Sequence, residues 1–126
     1  MLFRSTGIDQ NQRLVGGAIL PGLRLQIHSL STGTAALPSV ELPRQLPPRW
    51  SDNTQGSISS GILHTVSAGI SGFIKDWKLL YSYSQIIFTG GDGSLLSGYL
   101  SVDLTDRFRV DRDLVFHGMS RILVEF

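Results

Sequence analysis

Apolar positions along the first third of the chain predict a hairpin followed by a helix. Residues 8–20 are expected to pair around a polar turn at Asp9–Gln12, and Gly16-Gly17 indicates a bulge or a close backbone approach. The fixed φ of Pro21 suits the first position of a helix that ends near residues 31–33. That helix has one apolar stripe at helical spacing, made of Leu23, Ile27 and Leu30.

Residues 38–54 predict an extended, proline-rich segment, because the prolines at 38, 43, 47 and 48 exclude a regular helix. The longest helix is expected over residues 55–79. Its apolar stripe is Ile58, Ile62, Val66, Ile70, Phe73 and Trp77, and a second stripe is small: Ser57, Gly61, Thr65, Ala68 and Gly72. Glycine destabilises the interior of a helix, so its presence here needs another reason. This second stripe therefore indicates close packing inside the domain or a subunit interface.

The stretch Ile86–Phe88 predicts a short strand buried on both faces, and Thr89-Gly90-Gly91-Asp92-Gly93 follows it directly. Asp92 or Ser94 is expected to cap a helix whose apolar residues are Leu95, Leu96, Tyr99 and Leu100. A strand, a glycine turn and a helix N-terminus can present backbone N–H groups to a nucleotide. The alternative is a tight strand-to-helix connection without a ligand.

The last quarter predicts a short strand within residues 107–110, after Val102-Asp103-Leu104, and a final helix over residues 114–123 capped by Asp113. The charged residues between residue 103 and that helix resemble a solvated segment: Asp103, Asp106, Arg107, Arg109, Asp111, Arg112 and Asp113. Since strands alternate with helices throughout, the fold class is α/β.

Composition excludes several classes of protein. The 126 residues suit one domain or part of a larger protein, and a net charge of +1 does not favour nucleic acid. With 41% hydrophobic and only 17% charged residues, some apolar surface is expected to meet a partner or a missing part of the chain. The absence of cysteine excludes disulfides and thiolate chemistry. No apolar run reaches the roughly 20 residues of a membrane span, and Met1–Ser5 is too short for a signal peptide, so we expect no membrane association and a cytoplasmic location.

Few side chains suggest chemistry on their own. His28, His64 and His117 lack metal-ligand spacing and are expected to be surface or packing residues. Thr54 stands at the predicted N-terminus of the long helix. Its hydroxyl is expected either to cap that helix, which is the commoner role, or to bind a polar ligand.

Five segments, in this order, resemble the type III pantothenate kinases, also known as the Bvg accessory factor family. The segments are Gly16–Gly22, Thr34–Pro38, Asn53-Thr54 with Ser57–Gly61, Thr89–Asp92 and Asp111–Gly118. The resemblance implies an actin-like ATPase, ribonuclease H-like fold of the acetate kinase–sugar kinase–Hsp70–actin superfamily, with residues 1–126 as a truncated C-terminal half.

The resemblance also implies the reaction and the site. Family members phosphorylate pantothenate with ATP in the first step of coenzyme A synthesis, as cytoplasmic homodimers that need Mg²⁺ or another divalent metal and a monovalent cation, K⁺ or NH₄⁺. Thr54 matches the residue that binds pantothenate, and Thr89, Gly90, Gly91 and Asp92 match the turn on the nucleotide side. The small stripe of the long helix is expected to contribute to the dimer contact.

Three family motifs are missing from the sequence. They are the phosphate loop Asp-x-Gly-Asn-Thr, the Gly-Ala-Asp-Arg motif with the general base, and the cation-binding Asp-x-Gly-Thr-Ala. Residues 1–6 do not match the family strand and form a candidate non-native leader. Arg112, His117 and Met119 stand where the family usually has proline, arginine and leucine.

We therefore expect no catalysis by this chain alone and no catalytic or metal-binding residue within it. The first hypothesis is a kinase half that works with its upstream half. The alternative is a non-catalytic nucleotide-binding or dimerisation module. A different kinase of the superfamily is disfavoured by Thr34–Pro38 and Asn53-Thr54.

Overall fold

The computed structural model describes residues 2–100 and 108–125, in which two strands and two helices are followed by alternating strands and helices. The described elements are β1 (Leu2–Ile8), β2 (Leu14–Pro21), α1 (Leu23–Gly33), α2 (Thr54–Leu80), β3 (Ile86–Phe88), α3 (Gly93–Leu100), β4 (Phe108–Val110) and α4 (Leu114–Glu125). They divide into two units, one up to Ser82 and one from Tyr83. The mixed α/β class predicted from the sequence is confirmed.

The first unit begins with the predicted hairpin, although β1 starts earlier than expected. β1 and β2 pair antiparallel from Leu2 opposite Pro21 to Gly7 opposite Gly16, and the register then shifts. In the turn, the Asp9 carboxylate accepts the backbone N–H groups of Asn11 and Arg13, each at 2.9 Å. A Cβ at Gly17 would overlap the Ser5 carbonyl of the opposite strand, which confirms the close backbone approach there.

The helix α1 starts two residues later than predicted. Pro21 ends β2 opposite Leu2, and its carbonyl accepts the Gln26 side-chain amide at 2.8 Å. Pro21 is therefore a strand residue, which its missing N–H permits at the end of an edge strand. Leu23 and Ile27 are buried, as the predicted stripe requires.

The helix α2 buries an isoleucine-rich face. Ile58, Ile62, Val66 and Ile70 are buried as predicted, together with Leu63 and Ile74. The prediction for Phe73 was wrong: its side chain is 56% exposed, because the buried stripe continues from Ile70 by four residues to Ile74 rather than by three. Trp77 is half-buried and stacks near Tyr81, with ring centroids 4.3 Å apart.

The small stripe of α2 is exposed along its whole length within the described chain. A Cβ added at Gly61, Gly69 or Gly72 would meet no atom within 4 Å. Close internal packing therefore does not explain these glycines in the part of the chain that the structure describes. The other alternative, a subunit interface, stays a prediction.

Buried serines line α2 on its apolar side: Ser59, Ser60, Ser67 and Ser71. The Ser60 hydroxyl donates to the Arg49 carbonyl, whereas the Ser67 and Ser71 hydroxyls have no hydrogen-bond partner among the described residues.

The second unit is a pair of parallel strands covered by a helix. Ile86, Ile87 and Phe88 pair with Phe108, Arg109 and Val110, and the Phe88 and Phe108 rings meet edge to face at 5.2 Å. Leu96, Tyr99 and Leu100 of α3 are buried as predicted. Ile86 and Ile87 are only half-buried, so the expectation of burial on both faces holds for Phe88 alone. The predictions for residues 102–107 concern positions outside the described residues.

Replacing Gly7 with alanine is expected to destabilise the first unit. A Cβ at this position would overlap the Trp77 ring, so the ring must leave its place between β1 and Tyr81. Overpacking of this kind costs roughly 1–3 kcal/mol. Urea unfolding measures the loss of free energy.

Gly16→Ala is the matched control for this change, since it adds the same methyl group to β2 where nothing lies within 4 Å. Equal stability of the two variants would show that the Gly7–Trp77 contact does not constrain the hairpin.

Candidate functional site

The N-terminus of α2 is capped by Asn53. Its side-chain oxygen accepts the Gly56 N–H at 2.8 Å, and its carbonyl accepts the Ser57 N–H at 2.9 Å. Asn53 has extended backbone angles, as a capping residue does. The prediction that Thr54 caps this helix, which is the commoner role of threonine there, was therefore wrong. The sequence held the signal, because asparagine caps helices at least as well as threonine and stands one residue earlier.

Thr54 is the first helical residue and its side chain is exposed. Its hydroxyl makes no hydrogen bond with any described residue. Because Asn53 satisfies the capping requirement, the Thr54 hydroxyl remains available as a donor and an acceptor at the start of a 27-residue helix.

A shallow cavity of about 650 Å³, widely open to solvent, lies beside Thr54, between α2 and the end of α1. Its apolar lining comes from Leu30, Leu37, Ile58 and Ile62, and its polar lining from Ser51, Asp52, Asn53, Thr54 and Ser57, with Gly61 between them. Small-molecule sites have volumes of this order and combine apolar walls with a few polar groups. The arrangement suits a small amphipathic ligand with hydroxyl or amide groups.

A second cavity of about 690 Å³ lies on the other side of Ser51–Asn53 and is also lined by Pro47, Pro48, Trp50 and Gly56. The proline-rich segment that forms it contains no helix or strand, as predicted. Two contacts hold the segment on α2: the Ser60 hydroxyl donates to the Arg49 carbonyl, and His64 Nε2 lies 2.7 Å from the Pro47 carbonyl oxygen. His64 is thus a packing residue, as expected.

The glycine turn connects β3 to α3 in the second unit. Gly90 has φ +87°, a conformation that side chains with a Cβ rarely adopt, and its carbonyl accepts the Gly93 N–H at 3.4 Å. The Asp92 carbonyl accepts the Leu96 N–H at 2.9 Å, which makes Asp92 rather than Ser94 the residue before the helix. The turn therefore places the N-terminus of α3 at the carboxyl end of β3.

Asp111 follows β4 at the same edge of the sheet, because its N–H donates to the Phe88 carbonyl at 2.8 Å. Its carboxylate accepts the Asp113 N–H at 3.1 Å and Arg109 Nη2 at 3.2 Å, and lies 3.4 Å from His117 Nδ1. The Asp111 side chain is only 9% exposed, so the prediction of a solvated charged segment was wrong for this residue. The carboxylate instead fixes the start of α4.

The two predicted sites lie in different units, Thr54 in the first and Thr89–Asp92 in the second. Over residues 2–100 and 108–125, no group of three or more histidine or acidic side chains is placed to bind a metal ion. Within the same ranges, no helix combines the length and the hydropathy that crossing a bilayer would require.

Comparison with known proteins identifies the class. The family model described as type III pantothenate kinase matches residues 5–76, so the chain belongs to the type III pantothenate kinase family.

Relatives named type III pantothenate kinase include proteins of Synechococcus elongatus and Synechocystis. The Synechococcus elongatus protein is 46% identical over 114 residues, which are 90% of this chain and 45% of that protein. The Synechocystis protein is 41% identical over 122 residues, covering 93% and 47% of the two chains. The chain thus spans about half the length of the curated relatives that it matches.

A solved structure from Campylobacter jejuni, of a conserved Baf family protein proposed to be a transcriptional activator, is also similar. It shares 29% identity with a TM-score of 0.66, over 98% of this chain and 53% of that one.

Gly90→Ala is expected to destabilise the second unit by roughly 1–2 kcal/mol, the cost of holding an L-residue in a left-handed conformation. The control is Gly91→Ala in the same turn, which has no positive φ and no neighbour within 4 Å of an added Cβ. Thermal unfolding followed by circular dichroism compares the two. If Gly90→Ala were as stable as Gly91→Ala, the left-handed backbone conformation assigned to residue 90 would be wrong.

Proposed function

We propose that this chain forms part of a pantothenate kinase and contributes its pantothenate-binding wall and its nucleotide-side turn. The reaction is the ATP-dependent phosphorylation of pantothenate to 4'-phosphopantothenate, the first step of coenzyme A synthesis. The observation that carries the proposal is the Thr54 hydroxyl, which has no partner among the described residues and borders a cavity of mixed lining.

Pantothenate suits such a cavity chemically. The molecule combines a dimethyl-substituted carbon with two hydroxyls, an amide and a carboxylate, so it needs both apolar contacts and hydrogen-bond partners. Leu30, Ile58 and Ile62 would contact its methyl groups, while Thr54 would bind one of its polar groups.

The turn Thr89–Asp92 is assigned to the nucleotide side. In sheets of parallel strands, ligands bind outside the carboxyl ends of the strands, and β3 and β4 both end at this turn and at Asp111. The N-terminus of α3 offers backbone N–H groups that suit phosphate oxygens. This placement agrees with an actin-like, ribonuclease H-like subdomain of the acetate kinase–sugar kinase–Hsp70–actin superfamily.

Phosphoryl transfer also needs a phosphate cradle, a divalent metal and a base near the substrate hydroxyl. The motifs that supply the cradle and the base in the family are missing from these 126 residues. We therefore propose that Mg²⁺ enters with ATP, that a monovalent cation binds with ligands from the missing motifs, and that the isolated chain does not turn over.

The enzyme is proposed to be a cytoplasmic homodimer in which the exposed small stripe of α2 approaches a second copy. A Cβ added at Gly61 or Gly72 of this stripe would meet no described atom within 4 Å, and each glycine costs the helix about 1 kcal/mol relative to alanine. A close partner surface would explain their presence.

Phosphorylation of pantothenate with ATP, Mg²⁺ and K⁺ tests the proposal, using the chain alone and mixed with the N-terminal half of the Synechococcus elongatus relative. Activity is expected only in the mixture. Turnover by the chain alone would contradict the need for an external base. An inactive mixture, with the full-length relative active under the same conditions, would favour a non-catalytic nucleotide-binding or dimerisation module, which sedimentation with and without ATP would then test.

Thr54→Val in the active mixture is expected to lower kcat/KM for pantothenate about tenfold, because one hydrogen bond to the substrate is lost. Thr32→Val is the matched control, since Thr32 is also an exposed helical threonine but lies on α1, outside both the cavity lining and the small stripe of α2. Equal kcat/KM values for the two variants would show that the Thr54 hydroxyl does not bind pantothenate.

A further inference from the structure

The residues around the start of α2 form a closed set of hydrogen bonds, here called the Ser51–Ser57 clasp. The Ser51 hydroxyl donates to the Asn53 carbonyl at 3.3 Å, and the Asn53 N–H lies 3.4 Å from the same hydroxyl oxygen. The Ser57 hydroxyl lies 2.7 Å from the Asn53 carbonyl and 3.4 Å from the Ser51 carbonyl. Together with the Gly56–Asn53 bond, these contacts fix the three residues before α2 onto its first turn.

Gly56 is the one position in the first turn where the clasp excludes any side chain. A Cβ there would overlap the Ser51 hydroxyl and lie 3.1 Å from the Asn53 side-chain oxygen. Gly56 differs in this respect from Gly61, Gly69 and Gly72 of the same helix, whose added Cβ atoms would meet nothing within 4 Å. The glycine therefore allows Ser51 to lie over the helix start.

Thr54 is omitted from these contacts although it stands in the middle of the clasp. Threonine is itself a good capping residue, so without the Asn53 side chain its hydroxyl would accept a free N–H of the first turn. The helix would then start one residue later, and the hydroxyl would be engaged within the protein. Asn53 prevents this by accepting the Gly56 N–H first.

We propose that Asn53, Ser51 and Gly56 are positioning residues that keep the Thr54 hydroxyl free for pantothenate, an inference that rests on the function proposed for Thr54. Asn53 keeps Thr54 inside the helix as its first residue. Ser51 and Gly56 hold Asn53 in place. None of the three needs to contact the ligand for this role.

The test combines two readouts on the whole 126-residue chain. Thr54 ¹³Cα and ¹³Cβ chemical shifts report whether Thr54 is helical or has become the cap, and they need no ligand. Calorimetric titration with pantothenate reports affinity. Asn53→Ala is expected to move the Thr54 shifts to those of an extended capping residue and to weaken binding about tenfold, as much as Thr54→Val does.

Conservative and matched variants separate positioning from simple destabilisation. Asn53→Ser retains a capping side chain, so it is expected to keep Thr54 helical and to restore most of the affinity. Gly56→Ala is expected to weaken binding, whereas Gly98→Ala, where an added Cβ on α3 would meet no atom within 4 Å, is expected to leave it unchanged.

Helical Thr54 shifts in Asn53→Ala would overturn the inference, whatever the affinity. Wild-type affinity in Asn53→Ala or in Gly56→Ala would also overturn it. If the wild-type chain bound no pantothenate, the function proposed for Thr54 would fail instead, and the Thr54 shifts would still decide whether Asn53 excludes Thr54 from the capping position.

Discussion

The hydrogen bond from the Gly56 N–H to the Asn53 side chain is the constraint on which the candidate site depends. A helix start leaves several N–H groups without partners, and any nearby polar side chain can satisfy them. Here Asn53 takes that role at 2.8 Å, so α2 begins at Thr54 and the threonine hydroxyl makes no hydrogen bond with any residue that the structure describes. The same bond anchors the helix that supplies most of the buried apolar residues of the first unit.

The two faces of α2 serve different purposes. Its isoleucine face is buried within the first unit, and the proline-rich segment is held against the helix through Ser60 and His64. Its small face is exposed, and a Cβ added at Gly61 or Gly72 would meet no described atom within 4 Å. Helix stability alone would select alanine at such positions. An unfavourable residue retained on an exposed face is more easily explained by a close partner surface than by the fold of this chain.

Local patterns in the sequence predicted most elements because their causes are local. Glycine, proline and apolar spacing set the hairpin turn, the irregular segment and the helices within a few residues. The errors have non-local or competitive causes. The Asp111 side chain is only 9% exposed because β4 pairs with β3, whose partner residues are 22 positions away in the sequence, and periodicity does not encode this pairing. Phe73 is exposed because the buried stripe runs from Ile70 to Ile74, and a position one residue away points about 100° around the helix. Thr54 is not the cap because Asn53 competes for the same role.

The role of Thr54 can be tested in a crystal structure of the chain assembled with the N-terminal half of its Synechococcus elongatus relative, in the presence of pantothenate. An oxygen of pantothenate is expected within about 3 Å of the Thr54 hydroxyl, hydrogen-bonding distance, with Asn53 still accepting the Gly56 N–H. Pantothenate bound away from Thr54, or a Thr54 hydroxyl that caps α2 while the ligand is present, would contradict it.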